Sequence, residues 1–321
     1  MKLKILDNIP SKNDIKESKY IISDYAHETP VLTCNSINQI AGTQLYFKCE
    51  NFQKVGAFKF RGAINTIMRL EEDELSKGVA THSSGNHAQA LALAARIAGT
   101  TASIVMPKNA PEIKIEAVKQ YGANITFCEP TLAAREKTLA EIIDKTGAWF
   151  IHPYNDYNVI AGQATCALEL INQVNEIDAI ITPVGGGGLL SGTLLTAKHF
   201  SKCIKVFAGE PEGAKDAYLS LKNSELIPSI NPDTIADGLL TSLGDKTYPI
   251  ISENIEEILL VNDEEIVLAM RLLWERMKII VEPSGAVPLA AILREKHKFR
   301  NKNVGLILSG GNIDLNKLPF S

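Results

Sequence analysis

A lysine flanked by two phenylalanines, Lys59 between Phe58 and Phe60, is the first residue whose surroundings suggest chemistry. An amine becomes a nucleophile near neutral pH only when its pKa falls, and loss of hydration lowers the pKa of a lysine. Aromatic neighbours would provide that desolvation. The same pattern also fits an ordinary surface lysine on an edge strand, so Lys59 becomes a strong candidate only beside a second ligand-binding feature.

Four consecutive glycines, Gly185, Gly186, Gly187 and Gly188, provide such a feature. They follow an apolar segment at 178–184 and precede a helix-like segment at 189–200. Helix and strand propensities both disfavour this run, whereas backbone N–H groups can approach an anion closely where side chains are absent, and a helix N-terminus adds positive charge. The run therefore predicts a phosphate cradle; a tight strand–helix turn is the alternative. It lacks the Lys-Ser/Thr ending of a P-loop and the spacing of a GxGxxG fingerprint.

A short polar run, Ser83, Ser84, Gly85, Asn86 and His87, stands where a predicted strand meets a predicted helix. N–H groups and hydroxyls at such a junction converge on an anion such as a carboxylate. An ordinary helix N-cap is the alternative, and His87 could equally be a structural residue. The run therefore predicts a substrate-binding loop that depends on the other motifs for support.

Two further segments follow predicted strands. Ser309, in LSGGN at the end of an apolar strand, could hydrogen-bond a ring nitrogen, although a plain turn fits as well. Glu210 and Asp216 lie on an acidic loop, and paired carboxylates can hold a hard divalent cation through oxygen ligands. From spacing alone, a solvated acidic loop is the better interpretation of that pair.

Bulk composition excludes several classes of protein. The 321 residues carry a formal net charge of −4, which does not favour nucleic-acid binding. We see neither a signal peptide nor an apolar stretch of membrane-spanning length, so no membrane association is expected. The five cysteines form no CxxC pair, which argues against a disulfide framework or a structural zinc site. A reducing, cytoplasmic location is therefore the prediction.

Short apolar strands alternate with helical segments along most of the chain. Strands are predicted at 102–106, 179–182, 206–209 and 304–308, with helices at 87–98, 112–121, 131–145, 160–174 and 189–200. This alternation predicts an α/β fold with mainly parallel, twisted sheets. We expect two αβα-type domains, a large one from residues 1–72 and 157–321 and a small one from 73–156. An inserted domain and a tandem arrangement are equally consistent with the pattern.

Assembled in this order, the motifs resemble those of the fold-type II pyridoxal-phosphate enzymes, whose fold is like that of the tryptophan synthase β chain. Within them the chain is similar to the serine/threonine dehydratase and serine racemase family. The resemblance runs from about Thr29 to Asn312. It is carried by NFQKVGAFKFRGA, SSGNHAQALA, VIAGQATCALEL, PVGGGGLLSG, TIADGL, VEPSGAV and LSGGN.

The resemblance implies a role for each motif, with pyridoxal 5′-phosphate in the cleft between the domains. Lys59 would hold the cofactor as a Schiff base, Phe58 and Asn86 would contact its ring, and Ser309 would face the ring nitrogen. Its phosphate would bind Gly185, Gly186, Gly187, Gly188 and Leu189. The substrate carboxylate would bind the loop of the small domain, namely Ser83, Ser84, Gly85, Asn86 and His87.

The resemblance also implies a second acid/base and a metal. Ser84 matches the group that faces the lysine across the cofactor plane in serine racemases. Glu210, Asp216 and the carbonyl of Ala214 match the Mg²⁺ or Ca²⁺ site of the racemase-like branch. This match favours the metal interpretation over the solvated loop.

The activity implied first is the dehydration of L-threonine or L-serine to a 2-oxo acid and ammonia. Serine racemisation with side dehydration, or dehydration of 3-hydroxyaspartate, is the alternative; for the latter, Arg135 could meet the extra substrate carboxylate. A non-catalytic pyridoxal-phosphate-binding protein is a distant third. We expect a small amino acid as substrate and a homodimer as the assembly.

Overall fold

The computed structural model describes residues 4–110, 112–201 and 203–320. Its strands form two sheets. In chain order the strands are β1 (Val31–Leu32), β2 (Gln44–Cys49), β3 (Val79–His82), β4 (Ala102–Pro107), β5 (Asn124–Cys128), β6 (Trp149–Phe150), β7 (Ala179–Pro183), β8 (Lys205–Pro211), β9 (Glu257–Val261) and β10 (Asn303–Leu308). One sheet has the order β1-β2-β10-β7-β8-β9 and the other β5-β4-β3-β6. Every pair is parallel except β1 with β2.

Helices cover the faces of both sheets. They are α1 (Lys12–Ile22), α2 (Asn35–Ala41), α3 (Lys59–Ile67), α4 (Glu72–Ser76), α5 (Asn86–Ile97), α6 (Glu112–Gln120), α7 (Leu132–Thr146), α8 (Tyr157–Gln173), α9 (Gly188–Phe200), α10 (Asp216–Asn223), α11 (Thr247–Asn254), α12 (Asp263–Leu272), α13 (Pro283–Arg294) and α14 (Lys296–Phe299). No helix in the described parts of the chain is both long and apolar enough to span a bilayer.

The predicted α/β class with mainly parallel sheets is confirmed. Each predicted strand and helix is present, and α8 begins earliest relative to expectation. It starts at Tyr157 because the Asp156 side chain accepts the N–H groups of Asn158 and Val159 and so caps the helix. The four-stranded sheet uses residues 79–150 and the six-stranded sheet uses 31–49 and 179–308. The limits of the two domains stay a prediction.

Helix α8 is the central packing element between the two candidate ligand-binding features. A Cβ atom added at Gly162 would lie 2.6 Å from the Arg61 carbonyl oxygen on α3. One added at Gly192, on α9, would lie 2.6 Å from the Ala164 nitrogen on α8. These contacts require glycine, since real Cβ atoms do not approach so closely. Close packing against α8 therefore fixes α3, which carries Lys59, relative to α9, which follows the glycine run.

A buried ion network anchors the start of α3. The Arg61 guanidinium donates from Nε to Oε2 of Glu50 at 2.7 Å and from Nη2 to Oε2 of Glu169 at 2.7 Å. Lys48 Nζ donates to the same Glu169 oxygen at 2.7 Å. All four side chains are buried. A half-buried fifth residue, Lys19, donates from Nζ to Oε1 of Glu169 at 2.6 Å, so three cations share two carboxylates. The network links α3 to β2, to the turn after β2 and to α8.

We expect Glu169→Gln to destabilise the fold, because it leaves two buried cations short of a counter-charge. Removing one partner of a buried ion pair costs about 3–5 kcal/mol, which urea denaturation would measure. The matched control is Glu129→Gln, since Glu129 pairs with Lys108 on the surface and such pairs contribute about 0–1 kcal/mol. Equal losses in the two variants would contradict a stabilising role for the network.

Candidate active site

Lys59 is the first residue of α3, so the edge-strand alternative is wrong for this position. Its half-buried side chain donates from Nζ to the Pro153 carbonyl oxygen at 2.8 Å. Nζ also lies 5.1 Å from the centroid of the Phe58 ring and 6.0 Å from that of Tyr154. Loss of hydration lowers the pKa of Lys59 to about 8, with the charge of Glu282 opposing the shift. Part of the amine population is therefore neutral near pH 8.

The glycine run joins β7 to α9 as the sequence predicts. Gly187 is the N-cap residue, and its φ of 86° is in the left-handed region that favours glycine. A Cβ atom added at Gly186 would lie 2.4 Å from ring atoms of Tyr154. The run therefore leaves its backbone bare beside the start of a buried helix, an arrangement suited to an anion. Leu189 is buried and packs in a cluster that includes Phe58.

The polar loop follows β3, and α5 begins at Asn86. Ser83 Oγ accepts the Gly85 N–H at 3.3 Å, and Ser84 is half-buried in the same turn. The Asn86 side chain is anchored by Glu282, which accepts its Nδ2 at 2.9 Å. The loop thus places two serine side chains directly before the N-terminus of α5.

The His87 side chain has a structural role. It is buried, and its Nε2 lies 3.2 Å from the Ile151 carbonyl oxygen. Since a carbonyl only accepts, Nε2 carries the proton; Nδ1 has no hydrogen-bond partner among the described residues. Burial first, and then the charge of Lys59, lowers the pKa of His87 to about 3. A neutral, buried imidazole can contribute its backbone N–H to an anion, but it brings no positive charge.

Ser309 follows β10 and is buried. Its carbonyl oxygen accepts the N–H of Phe58 at 3.0 Å, so the end of β10 is tied to the residue before Lys59. A serine hydroxyl is neutral at every relevant pH. A ring nitrogen placed beside the Ser309 hydroxyl would therefore have an uncharged hydrogen-bond partner.

Two groups that the sequence analysis missed complete the site. Glu282, in the motif VEPSGAV, is buried, and burial with the charge of Asp237 raises its pKa to about 7. His152 follows β6, and its Nδ1 accepts the N–H groups of Asn155 at 2.9 Å and Tyr154 at 3.3 Å. Burial, with the neighbouring charges of His82 and Lys59, lowers its pKa to about 3. Both residues share a sequence signal that could have identified them: each is an ionisable residue followed by a proline at the end of an apolar segment.

Glu210 and Asp216 lie close together on β8 and at the start of α10. Glu210 accepts the N–H groups of Ala217 and Tyr218, each at 2.8 Å. Neither carboxylate oxygen of Asp216 has a hydrogen-bond partner within the described part of the chain. Burial raises the pKa of Glu210 to about 8 and that of Asp216 to about 6. A pair of buried acids, one of which has no hydrogen-bond partner for its carboxylate oxygens, is an arrangement that a cation would satisfy.

The solvated-loop alternative is therefore wrong for these two acids, which are buried. Ala214, in the turn between them, is also buried. The described residues contain no cluster of three or more His, Cys, Asp or Glu side chains able to hold a metal. A cation here would consequently need carbonyl oxygens, such as that of Ala214, and water to complete its shell.

Comparison with known proteins gives a consistent result. A family model described as "Pyridoxal-phosphate dependent enzyme" matches residues 22–310. The chain is 54% identical to a serine racemase of Dictyostelium discoideum, over 95% of each sequence. It is 48% identical to a β-hydroxyaspartate dehydratase of Paracoccus denitrificans, over 98% of this chain and 99% of that protein.

Solved structures agree. The crystal structure of the Dictyostelium discoideum serine racemase superposes with a TM-score of 0.91, covering 95% of this chain and 99% of that one. The crystal structure of a T.th. threonine deaminase also gives 0.91, at 40% identity and with the same coverage.

Proposed function

Since the chain belongs to the fold-type II pyridoxal-phosphate dependent enzymes, in the serine racemase and dehydratase family, we propose that it racemises serine and dehydrates 3-hydroxy amino acids at one site. The supporting observation is that the Ser84 loop and Lys59 share Glu282 as a neighbour. Asn86, two residues after Ser84, bonds to Glu282, and the charge of Glu282 acts on Lys59. Glu282 thereby links a half-buried amine on α3 to a loop with a half-buried hydroxyl.

This proposal reverses the order given by the sequence analysis, which placed L-threonine and L-serine dehydration first. The chain is more similar to a serine racemase, at 54% identity, than to a threonine deaminase, at 40%. Racemisation also needs proton-transfer groups on two faces, whereas elimination needs only one. Ser84 supplies the second group.

Each predicted site residue has a defined part in this proposal. The N–H groups at Gly185, Gly186, Gly187, Gly188 and Leu189 would hold the phosphate, and Ser309 and Asn86 would orient the ring. Lys59 would carry the cofactor. The Ser83–Ser84–Gly85 turn and the N-terminus of α5 would hold the substrate carboxylate.

Pyridoxal phosphate, when bound, withdraws electrons from the substrate Cα and so stabilises negative charge there. The chain itself moves the protons. The Lys59 amine, when neutral, accepts the Cα proton on its own face. The Ser84 hydroxyl donates a proton to Cα from the opposite face, which inverts the configuration. Loss of the Cβ hydroxyl as water instead gives an unsaturated amine, and hydrolysis of this product by another water molecule gives a 2-oxo acid and ammonia.

Dehydration of 3-hydroxyaspartate is a second candidate. The 48% identity to the β-hydroxyaspartate dehydratase supports it. So does the position of Arg135 on α7, whose positive charge acts on His82, the residue before Ser83. A second substrate carboxylate would need such a cation near the substrate loop.

The decisive experiment is a paired assay of the purified protein with serine, threonine and 3-hydroxyaspartate, following 2-oxo acid and enantiomer together. We expect D-serine to form from L-serine, with 2-oxo acid as a second product. Lys59→Ala should abolish both products and the visible absorbance of the bound cofactor. Cofactor absorbance in the parent protein without turnover of any of the three substrates would instead support a non-catalytic binding protein.

Ser84→Ala separates the two reactions. Because the variant lacks only the hydroxyl on the face opposite Lys59, serine racemisation should fall by at least about 100-fold, while part of the L-serine elimination remains. Chiral chromatography and a 2-oxo acid assay on the same samples would measure the two rates. Equal loss of both activities would overturn the assignment of Ser84 to the second face.

We further propose that Glu210, Asp216 and the carbonyl of Ala214 hold Mg²⁺ or Ca²⁺. A bound cation should stabilise the fold, because it neutralises two buried carboxylates, and saturating Mg²⁺ should raise the Tm by roughly 2–5 °C over an EDTA-treated sample. Asp216→Asn should remove this difference. Asp144→Asn, an exposed change on α7, is the control and should retain it; a Mg²⁺ effect that survives in Asp216→Asn would place the cation elsewhere.

A further inference from the structure

Glu282 has no part in the proton transfers just described, yet it is the buried carboxylate of the site. It is the N-cap residue of α13, and its backbone N–H donates to the Gly310 carbonyl oxygen at 3.0 Å. A Cβ atom added at Gly310 would lie 2.6 Å from Glu282 Oε1. The loop after β10 therefore requires glycine at 310 to make room for this carboxyl group.

The Glu282 carboxyl belongs to a hydrogen-bond chain that begins at a backbone carbonyl. Asn312 Nδ2 donates to the Val55 oxygen at 2.7 Å and to Asn86 Oδ1 at 2.9 Å. Asn86 Nδ2 in turn donates to Glu282 Oε1 at 2.9 Å and Oε2 at 3.2 Å. Glu282 Oε2 also accepts the Asn312 N–H at 3.2 Å.

This chain permits only one orientation of each amide. The Val55 carbonyl can only accept, so the Asn312 side chain must present its NH₂ group there and to Asn86. Asn86 must then present its oxygen to Asn312 and its nitrogen to Glu282. Flipping Asn86 would set two NH₂ groups against each other and an oxygen against a carboxylate. The Asn86 NH₂ group has two hydrogens, and both of its acceptors belong to a single carboxyl group. One N–H of this amide is therefore free to bind a further acceptor.

Glu282 also acts on Lys59 by its charge. It opposes the burial that lowers the pKa of Lys59. Other ionisable groups act on these two residues: His87 and His152 lie beside Lys59, and Asp237 and Lys114 lie beside Glu282. Both histidines are neutral, and Lys114 and Asp237 form an ion pair with each other. Within the described part of the chain, Glu282 is therefore the carboxylate whose charge acts on the amine.

The family resemblance implies that Asn86 contacts the cofactor at the 3′ oxygen of its ring. We propose that Glu282 is a positioning residue which, with Asn312, fixes the Asn86 amide so that its free N–H faces this oxygen, and which supplies the counter-charge to the Lys59 amine. This inference rests on the proposed cofactor site. It assigns two separable effects to two residues: Asn312 affects only the orientation of Asn86, whereas Glu282 affects both that orientation and the charge at Lys59.

The first test uses apoenzyme, before any turnover. The rate of recombination with pyridoxal phosphate depends on neutral Lys59 amine and should rise with pH to a plateau. Glu282→Gln removes the counter-charge, so the midpoint of this rise should move about one unit lower. Asn312→Ala keeps the charge and should leave the midpoint in place. An unshifted midpoint in Glu282→Gln would overturn the counter-charge role.

The second test is the absorbance spectrum of the holoenzyme. Both Glu282→Gln and Asn312→Ala should shift the cofactor band or its pH titration and weaken cofactor binding by about tenfold or more. In Glu282→Gln either orientation of the new amide sets its NH₂ group against a donor, Asn86 Nδ2 in one and the Asn312 N–H in the other. Asp314→Asn, a carboxylate-to-amide change in the same loop, is the control and should change neither. Unaltered spectra and affinity in both test variants, with Tm values like the parent's, would overturn the orienting role.

Failure of the two proposals would look different. If the cofactor does not bind at Lys59, the parent protein shows no cofactor band and no variant can alter it. If the parent binds the cofactor normally and the variants match it in spectrum, affinity and recombination midpoint, the site stands and the role of Glu282 does not.

Discussion

The buried charge network around Arg61 is the interaction on which the site depends. A lysine amine can be held in partly dehydrated surroundings only if the backbone that carries it is itself rigid. Arg61 follows Lys59 by two residues, and its guanidinium is bonded to carboxylates from the turn after β2 and from α8. Because the arginine fork is planar and bidentate, it constrains direction as well as distance. The end of α3 that carries Lys59 is thereby fixed by the buried carboxylates of Glu50 and Glu169.

Helix α8 extends the same constraint to the glycine run, the proposed phosphate site. It contributes Glu169 to the network and packs without intervening side chains against α3 and α9. The amine and the glycine run are thus positioned by one helix rather than by independent loops. The proposed substrate loop follows a strand of the other sheet, and its attachment to this frame runs through polar contacts such as that between Asn86 and Glu282. The two halves of the site differ accordingly: one is set by close packing and the other by hydrogen bonds.

The sequence predicted those features whose signals are local. The glycine run, the SSGNH turn and the alternation of strands and helices can all be recognised within a few neighbouring residues. Glu282 could not be found in this way, because its partners Asn86 and Asn312 come from distant parts of the chain. His87 shows the converse. Its position at a helix start left an anion contact and a structural role equally open, and the fold buries its ring with Nε2 3.2 Å from the Ile151 carbonyl oxygen. Contact of its backbone with an anion stays a prediction. The burial of Glu210 and Asp216 was likewise invisible in their spacing, since it arises from packing around β8 and α10.

The position of β10 in its sheet bears on how the protein is made. This strand leaves the ribosome after all the other strands described, yet it lies between β2 and β7 in the middle of the six-stranded sheet. The early segment that contains Lys59 and the later glycine run therefore cannot reach their final relation until β10 has left the ribosome. A nascent chain that has not yet exposed β10 would present the lysine without its surroundings. A chain terminated before β10 should accordingly lack the middle strand of its larger sheet, and excess ligand would not restore the missing strand.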